Sequence, residues 1–593
     1  MSVIFGNFVM ISTRYKIKIT RKTRKMAVFE KYLKKKDFSS YEDFMDTFKI
    51  DVPVHFNFGY DVVDVYAEKQ PEKVAITWTD GHSVKYDVTY KDLKEKSDKI
   101  ASFLQSIGIE KGDRVLLILR RRIEWWYTMV ALHKLGAVAI PANHQLSDKD
   151  IAYRCIAAGV KAIICCDTTY VMENVQKANY FANEVHHLIY VNDGNSPKVE
   201  DEEWIDFWKA VNEAPEFKPM KRVNMSSDNM LIYFTSGTTS HPKMVVHDYA
   251  YPLAHILTAR FWQCLNEESR LLTVTDSSWV MAVWGMLYGQ LLVGATVVVY
   301  DYEGKFDAAN LLHVIEDCRV TSFFSPPTVY RFMLNEDLTK YDLSSLTYCV
   351  VAGELAHRHV YDDWKKYTGI EMKECYGQTE VGLVTGFFPW VESRTGSIGK
   401  ASPLYSMDLL NENMEVCGVD EVGQVAIRID RGRPLGVFKE YFKDKDAMER
   451  NNHDGYYFTG DLARKDKDGY YWFVSRADDV IKSSGYRISP SEVETALMLH
   501  PAVLECAVTG VPDEVRGQLI KATIVLKSLF QNEAGPKLAK EIQEFCKMQT
   551  SPYKYPRVVE FVQELPRTTT GKIRRAAIRR QDVILGTKRQ GTR

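Results

Sequence analysis

Between about residues 87 and 380 the chain repeatedly follows a helical segment with a short, continuously apolar run, and this recurrence limits the fold more than any other feature of its 593 residues. In the first unit Leu93, Ile100, Ala101 and Leu104 fall on one helical face, Gly108 closes the helix, and RVLLIL at 114–119 follows as a strand. Further strands are expected at AIICC (162–166), LIYV (188–191), LLTVT (271–275), SFFS (322–325) and TYCVVA (347–352). A strand without polar alternation needs cover on both faces, so these runs predict mainly parallel sheets with helices on either side.

After Gly396 the texture changes: GQVAIRI, DGYYF and KDGYYWFV are short strands separated by turns, which predicts a small β unit at about 396–475. A charged joint, Arg476-Ala477-Asp478-Asp479, leads into a last mixed unit. Its first helix is expected to begin near Pro490, with Ser489 as N-cap and Glu492 and Glu494 in the first turn. The expected fold class is α/β: a large N-terminal part of two mainly parallel sheets with flanking helices plus the small β unit, and a small mobile α+β C-terminal lid. The expected boundaries are a basic leader or upstream extension at 1–25, an N-terminal domain at 26–477, the lid at 478–577 and a basic tail at 578–593.

One uncharged stretch, 280–300, is 21 residues and long enough to cross a bilayer. Gly289, Gln290 and Gly294 interrupt it, and the part after Gly294 is β-branched, so it reads as a buried helix, a glycine break and a core strand, ATVVVY. No transmembrane segment is expected. With 77 basic against 78 acidic side chains, neither nucleic acid nor an acidic membrane is an expected partner. Ten scattered cysteines without a C-x-x-C pair support neither a zinc cluster nor a disulfide framework and suit a reducing cytosol. The first 25 residues hold seven basic and no acidic side chains. Translated sequence upstream of a start at Met26, with a cytoplasmic protein, is the favoured reading; a transit peptide to the mitochondrial matrix is the alternative.

LIYFTSGTTSHPK, at 231–243, is an apolar strand running into a loop dense in Thr, Ser and Gly that ends in Pro-Lys. Glycine and small hydroxyl residues let backbone N–H groups and hydroxyls surround a polyphosphate, and lysine neutralises it. The G-x-x-x-x-G-K-[ST] loop is absent. TSGTTSHPK resembles the phosphate loop of the adenylate-forming superfamily of acyl-CoA synthetases, luciferases and peptide-synthetase adenylation domains, which usually has glycine where this chain has Ser240. The resemblance assigns phosphate contact to Thr235, Ser236, Gly237, Thr238, Thr239, Ser240, His241, Pro242 and Lys243.

Further motifs recur in the family's order from about Phe56 to Arg575. AGE, with Ala352, Gly353 and Glu354, resembles the strand end bordering adenine. ECYGQTE resembles the second nucleotide motif. It implies nucleotide contact at Glu374, Cys375, Tyr376, Gly377 and Gln378, with Tyr376 on adenine, Thr379 on the α-phosphate and Glu380 on Mg²⁺. Asp461 of YFTGD resembles the acceptor of both ribose hydroxyls, a task suited to two carboxylate oxygens. In SRADDVIKSSGYRISPSEVE, the family pattern places Arg476 on ribose or phosphate and makes Asp478 the hinge. It brings Arg487 to the phosphates in one lid position and Ser484, Gly485 and Tyr486 to the pantetheine path in the other. Arg516 resembles a contact to the coenzyme A nucleotide. Lys572, after Gly571 in LPRTTTGKIRR, resembles the catalytic lysine.

By the same resemblance the acyl pocket comprises Gln145, Val280, Met281, Ala352 and Gly377. Acetate-specific relatives carry Trp at the Gly377 position, so glycine is expected to open the pocket to longer or branched chains. The motifs look most like those of medium-chain acyl-CoA synthetases. They imply an ATP-dependent acid–CoA ligase that forms acyl-AMP and pyrophosphate, then acyl-CoA and AMP, using ATP, Mg²⁺ and coenzyme A on a small carboxylic acid. A short-chain or aryl-acid ligase, a carrier-loading adenylation enzyme, a luciferase-like oxygenase and a nucleotide sensor are the rival readings; homo-oligomerisation is left open.

Overall fold

The computed structural model describes residues 27–182, 185–192, 203–220, 222–235, 242–354, 358–484, 486–513, 515–551, 553–567 and 573–590, without the side chains of Arg487 and of residues 583–590. Two large sheets carry the N-terminal part. The nine-stranded sheet runs, edge to edge, Lys400–Ala401, Leu383–Gly386, Met372–Gly377, Tyr348–Val351, Ser322–Ser325, Arg270–Thr273, Thr296–Tyr300, Val74–Thr79 and Lys85–Thr89. The eight-stranded sheet runs Glu440–Tyr441, Lys243–Asp248, Asn229–Thr235, Val138–Pro141, Arg114–Ile118, Val160–Cys166, His187–Val191 and Trp204–Asp206. Interior pairs of both sheets are parallel. The antiparallel pairs lie at the edges, where an exposed strand such as Lys85–Thr89 tolerates polar side chains.

The 280–300 stretch is buried throughout, but its break differs from the expected one. It forms two short helices, Val280–Gly285 and Tyr288–Val293, and the strand Thr296–Tyr300. Gly294, at φ +82°, turns the second helix into the strand. Gly289 does not break the helix; a Cβ there would lie 2.4 Å from the His255 carbonyl oxygen, so the glycine lets two helices touch. Among the described residues no helix is long and apolar enough to cross a membrane.

The β unit pairs Met407–Leu410, Val422–Arg428, Tyr456–Lys465, Asn452–His453 and Tyr471–Arg476. The lid builds its sheet from Ile481–Ser483, Tyr486–Ile488, Gly517–Leu526, Val503–Asp513 and Val558–Phe561. Its first helix, Pro490–Leu497, starts where expected, but the Ser489 hydroxyl does not cap it. That Oγ donates to the Val474 carbonyl at 2.6 Å and ties the lid to the preceding strand. Of the two acids expected in the first turn only Glu492 lies there; Glu494, beyond it, is buried, accepts the Val508 N–H at 2.8 Å and pairs with Arg575. The helix Arg575–Gln590 runs through position 578 without a break, and Ile578, Arg579 and Asp582, within the segment expected to be a basic tail, contact the lid.

Candidate active site

The carboxyl ends of parallel strands from the two sheets, the β unit and the lid enclose a cavity of about 950 Å³. Ligands of open α/β sheets lie at such strand ends. Thr235 ends one wall strand and Lys243 begins its antiparallel partner; the two residues face each other across the pair. Both line the cavity, so the chain leaves and re-enters the sheet at this wall. Ser236, Gly237, Thr238, Thr239, Ser240 and His241 lie outside the described residues. Pro242 is absent from the lining; its carbonyl accepts the Tyr153 hydroxyl at 3.4 Å.

At one end of the cavity Asp461 gathers three donors. The Tyr376 hydroxyl donates to Oδ2 at 2.7 Å, Gln378 Nε2 donates to the same oxygen, and Arg476 Nη1 lies 3.3 Å from Oδ1. Gln378 also donates to the Thr459 carbonyl at 2.9 Å, which fixes the amide. Burial, reinforced by the Asp461 charge, holds the Tyr376 phenol far above its ordinary range, so it acts as a donor. Arg476 stays charged although burial opposes it, because Asp461 and Asp478 stand beside it. The Glu354 carboxylate accepts from Thr328 Oγ1 at 2.9 Å, and Glu374 accepts from the Tyr361 hydroxyl. Gly353 has φ +96°, and a Cβ there would sit 2.7 Å from the Trp279 ring; that indole lies flush against the backbone. Cys375 is buried in the same wall.

Also in the cavity wall, Glu380 accepts the Tyr441 hydroxyl at 3.0 Å, and Asn451 Nδ2 donates to that hydroxyl at 3.1 Å. Lys243 Nζ sits 4.7 Å above the Tyr441 ring. Burial raises the Glu380 carboxyl and lowers the Lys243 ammonium; each charge partly offsets the other's shift. The Thr379 carbonyl accepts from His247 Nε2 at 2.7 Å. No cluster of three or more His, Cys, Asp or Glu able to hold a metal occurs among the described residues. Glu380, a desolvated carboxylate in the cavity wall, fits a Mg²⁺ that would arrive with nucleotide phosphates, since this ion is commonly held by one or two carboxylates plus substrate oxygens.

From the lid, Arg567 and Ile573 line the cavity and bridge to each other, and they flank 568–572. Gly571 and Lys572 lie outside the described residues, as does Gly485. Asp478 lines the cavity 3.4 Å from Arg476 Nε. Arg487 lies in the strand Tyr486–Ile488. Ser484, at φ +50°, donates its N–H to the Arg516 carbonyl at 2.9 Å, so these two residues are brought together. Tyr486 stacks on Tyr553 with centroids 4.2 Å apart. Ser484, Tyr486 and Arg516 are not in the cavity wall; the lid turns its Pro490–Leu497 and Arg575–Gln590 helices to the cavity instead.

Of the acyl-pocket residues, Val280, Met281, Ala352 and Gly377 line the wall and Gln145 does not. Its loop curls on itself, with the Gln145 N–H on Asn143 Oδ1 at 2.8 Å. Gly377 does not open a void. A Cβ there would stand 2.4 Å from the Gly382 carbonyl oxygen and 2.5 Å from the Trp284 ring, so the space beyond it is already filled. Sequence reading missed Trp284, Tyr233, Tyr441, Arg450 and Asn451, all in the wall. Two had a signal: Trp284 follows Val280 by four residues on one helix, and Tyr233 precedes Thr235 by two on one strand.

A model of the family described as AMP-binding enzyme matches residues 63–442, and one described as AMP-binding enzyme C-terminal domain matches 492–572. The chain is 39% identical over 539 residues to acyl-coenzyme A synthetase ACSM5, mitochondrial, of Rattus norvegicus, covering 90% of this chain and 91% of that one. It is 36% identical over 556 residues to acyl-coenzyme A synthetase ACSM3, mitochondrial, of the same species, covering 92% and 94%. Among solved structures, an anthranilate CoA ligase, AuaEII, in complex with anthranoyl-AMP superposes with a TM-score of 0.81 at 27% identity, covering 90% and 99%. An acyl-CoA synthetase of Brucella canis gives 0.68 at 31%, covering 93% and 100%.

Proposed function

Since the chain belongs to the AMP-binding enzyme family and is an ATP-dependent acid–CoA ligase, we propose that its cavity carries out both half-reactions on a medium-chain or branched carboxylic acid. One observation carries this reading: Asp461 with its three donors, the facing charges of Glu380 and Lys243, and the apolar side chains Val280, Met281, Trp284 and Ala352 all line one cavity. A nucleotide and an acyl chain both have a place in it.

In the first step the acid's carboxylate attacks the α-phosphorus and pyrophosphate leaves. Such transfers depend on positioning and charge neutralisation more than on covalent help. Asp461 accepts the ribose hydroxyls, Tyr376 and Gly353 border adenine, and Thr379 with the 235–243 loop holds the phosphates. Lys572 bridges the carboxylate and an α-phosphate oxygen where charge develops. Glu380 would hold a Mg²⁺ that, when bound, would supply charge neutralisation to the phosphates. In the second step the lid turns at Asp478, withdraws Lys572 and brings Ser484, Gly485 and Tyr486 beside the thiol path, with Arg516 on the coenzyme A nucleotide.

The relatives are described as mitochondrial, and the first 25 residues are basic and acid-free; together these favour the matrix over the cytoplasm for this chain. The test is pyrophosphate release over straight acids from C2 to C12 with branched and aryl members, followed by thioester formation on adding coenzyme A. Pyrophosphate without thioester would remove the ligase reading and leave an adenylating enzyme.

A further inference from the structure

We propose that Trp284 is the specificity-determining residue that ends the acyl pocket, in place of the Gly377 position; this rests on the acid–CoA ligase reading above. The indole lines the cavity and is 5% exposed. Its ring stands 2.5 Å from where a Gly377 Cβ would be, so it fills the space that glycine vacates. Seen from the cavity, an indole reaches this wall from the helix rather than from the strand end, and the acyl chain meets it.

The indole is fixed at both root and tip. At the root, the adjacent Gly285 is pressed against the sheet: a Cβ there would meet Thr273 Oγ1 at 2.5 Å and the Phe324 ring at 2.7 Å. The helix therefore cannot back away without a collision. At the tip, Trp284 Nε1 donates to the Tyr251 hydroxyl at 3.0 Å. Tyr251 stacks on His247 at 3.7 Å between centroids, and His247 Nε2 donates to the Thr379 carbonyl at 2.7 Å. Swinging the indole aside would break a buried hydrogen bond and disturb that stack, so the wall is rigid.

Trp284→Leu removes most of the indole and keeps an apolar helix face. Each methylene newly buried is worth about a fourfold gain, so acids three methylenes longer than the wild-type optimum should gain roughly fiftyfold in kcat/KM relative to that optimum. The KM for ATP should not move. Tyr251→Phe, which frees the tip but keeps the ring, should broaden the profile by a smaller factor. Should Trp284→Leu fail to fold, Trp284→Phe reads the same profile with a smaller step. An unchanged chain-length profile in the folded variants, with pyrophosphate release intact, would overturn the assignment of Trp284 alone. No pyrophosphate release by the wild-type protein with any acid would overturn the ligase reading and this inference with it.

Discussion

Arg575 lies three residues beyond Lys572, and replacing it tests how the lid holds its lysine loop. Its Nη2 is 2.7 Å from each oxygen of Glu494, and the two side chains are 24% and 11% exposed. Arg575→Met keeps the apolar stem but leaves that carboxylate with the Val508 N–H, 2.8 Å away. Breaking a buried pair costs roughly 3–5 kcal/mol, and the partial exposure of the arginine places this one near 3 kcal/mol. That is about a hundredfold rise in the opened population of the lid. Total stabilities run to roughly 5–15 kcal/mol, so the protein still folds. Amide exchange should therefore quicken in the lid strands Val503–Asp513 and Gly517–Leu526 and stay unchanged in the two large sheets. Adenylation, measured as pyrophosphate release, should slow because the anchor of the lysine loop is gone. Glu494→Gln combined with Arg575→Met should recover more than about 1 kcal/mol, because no bare charge remains. Unchanged exchange in the lid of Arg575→Met, or a change spread evenly over the chain, would refute the anchor.

Gly377→Ala should lower Tm and depress activity on every acid alike, by about 1–3 kcal/mol of overpacking, because its Cβ meets backbone; a shift of the profile toward short acids would contradict this. Burial pushes His133, His247 and His255 down to about 3 from 6.5, so their contribution is fully present above pH 6.5 and is lost as pH falls toward 3. Each gives a slope of up to about 1.4 kcal/mol per pH unit. Thermal melts should show Tm dropping between pH 7.5 and 5, less steeply in His255→Gln, and a flat profile would show that these rings take up protons in the fold. Lys572→Ala should lose acyl-adenylate formation yet convert supplied acyl-adenylate and coenzyme A to thioester; equal loss of both steps would remove its role.

The parallel interior of both sheets was legible because continuous apolar runs have no other stable place, and the apolar strands expected there lie inside observed ones or overlap them. What the runs could not disclose were the antiparallel edges, where Lys85–Thr89 is mostly exposed and carries no core pattern. Motif matching named residues that the structure gathers around one cavity, among them Thr235, Lys243, Tyr376, Glu380, Asp461 and Arg476, and missed what fills the space between them. Gly377 is the clearest instance: the missing side chain suggested room, yet a neighbour 93 positions earlier, Trp284, already occupies it. A position in a motif specifies a backbone; the volume beside it belongs to whichever element packs there.

The C-terminal helix shows the same limit and how periodicity could have eased it. Arg579 and Asp582 fall in the segment expected to be a basic tail, but with Arg575 their spacing of four and three puts them on one face. That face meets Glu494, Asp479 and Lys521, each an acid or base of the lid itself. Asp479 adjoins the joint, and Arg575 adjoins the lysine loop. The helix therefore links the joint to the residue three positions after Lys572, and in the proposed rotation at Asp478 the two would move together. Arg476, which touches Asp461 on the large domain and Asp478 on the joint, is the side chain that such a turn must divide. The pairs with Asp479 and Glu494 would then persist through the proposed motion, which would need only a few backbone torsions at the joint to change.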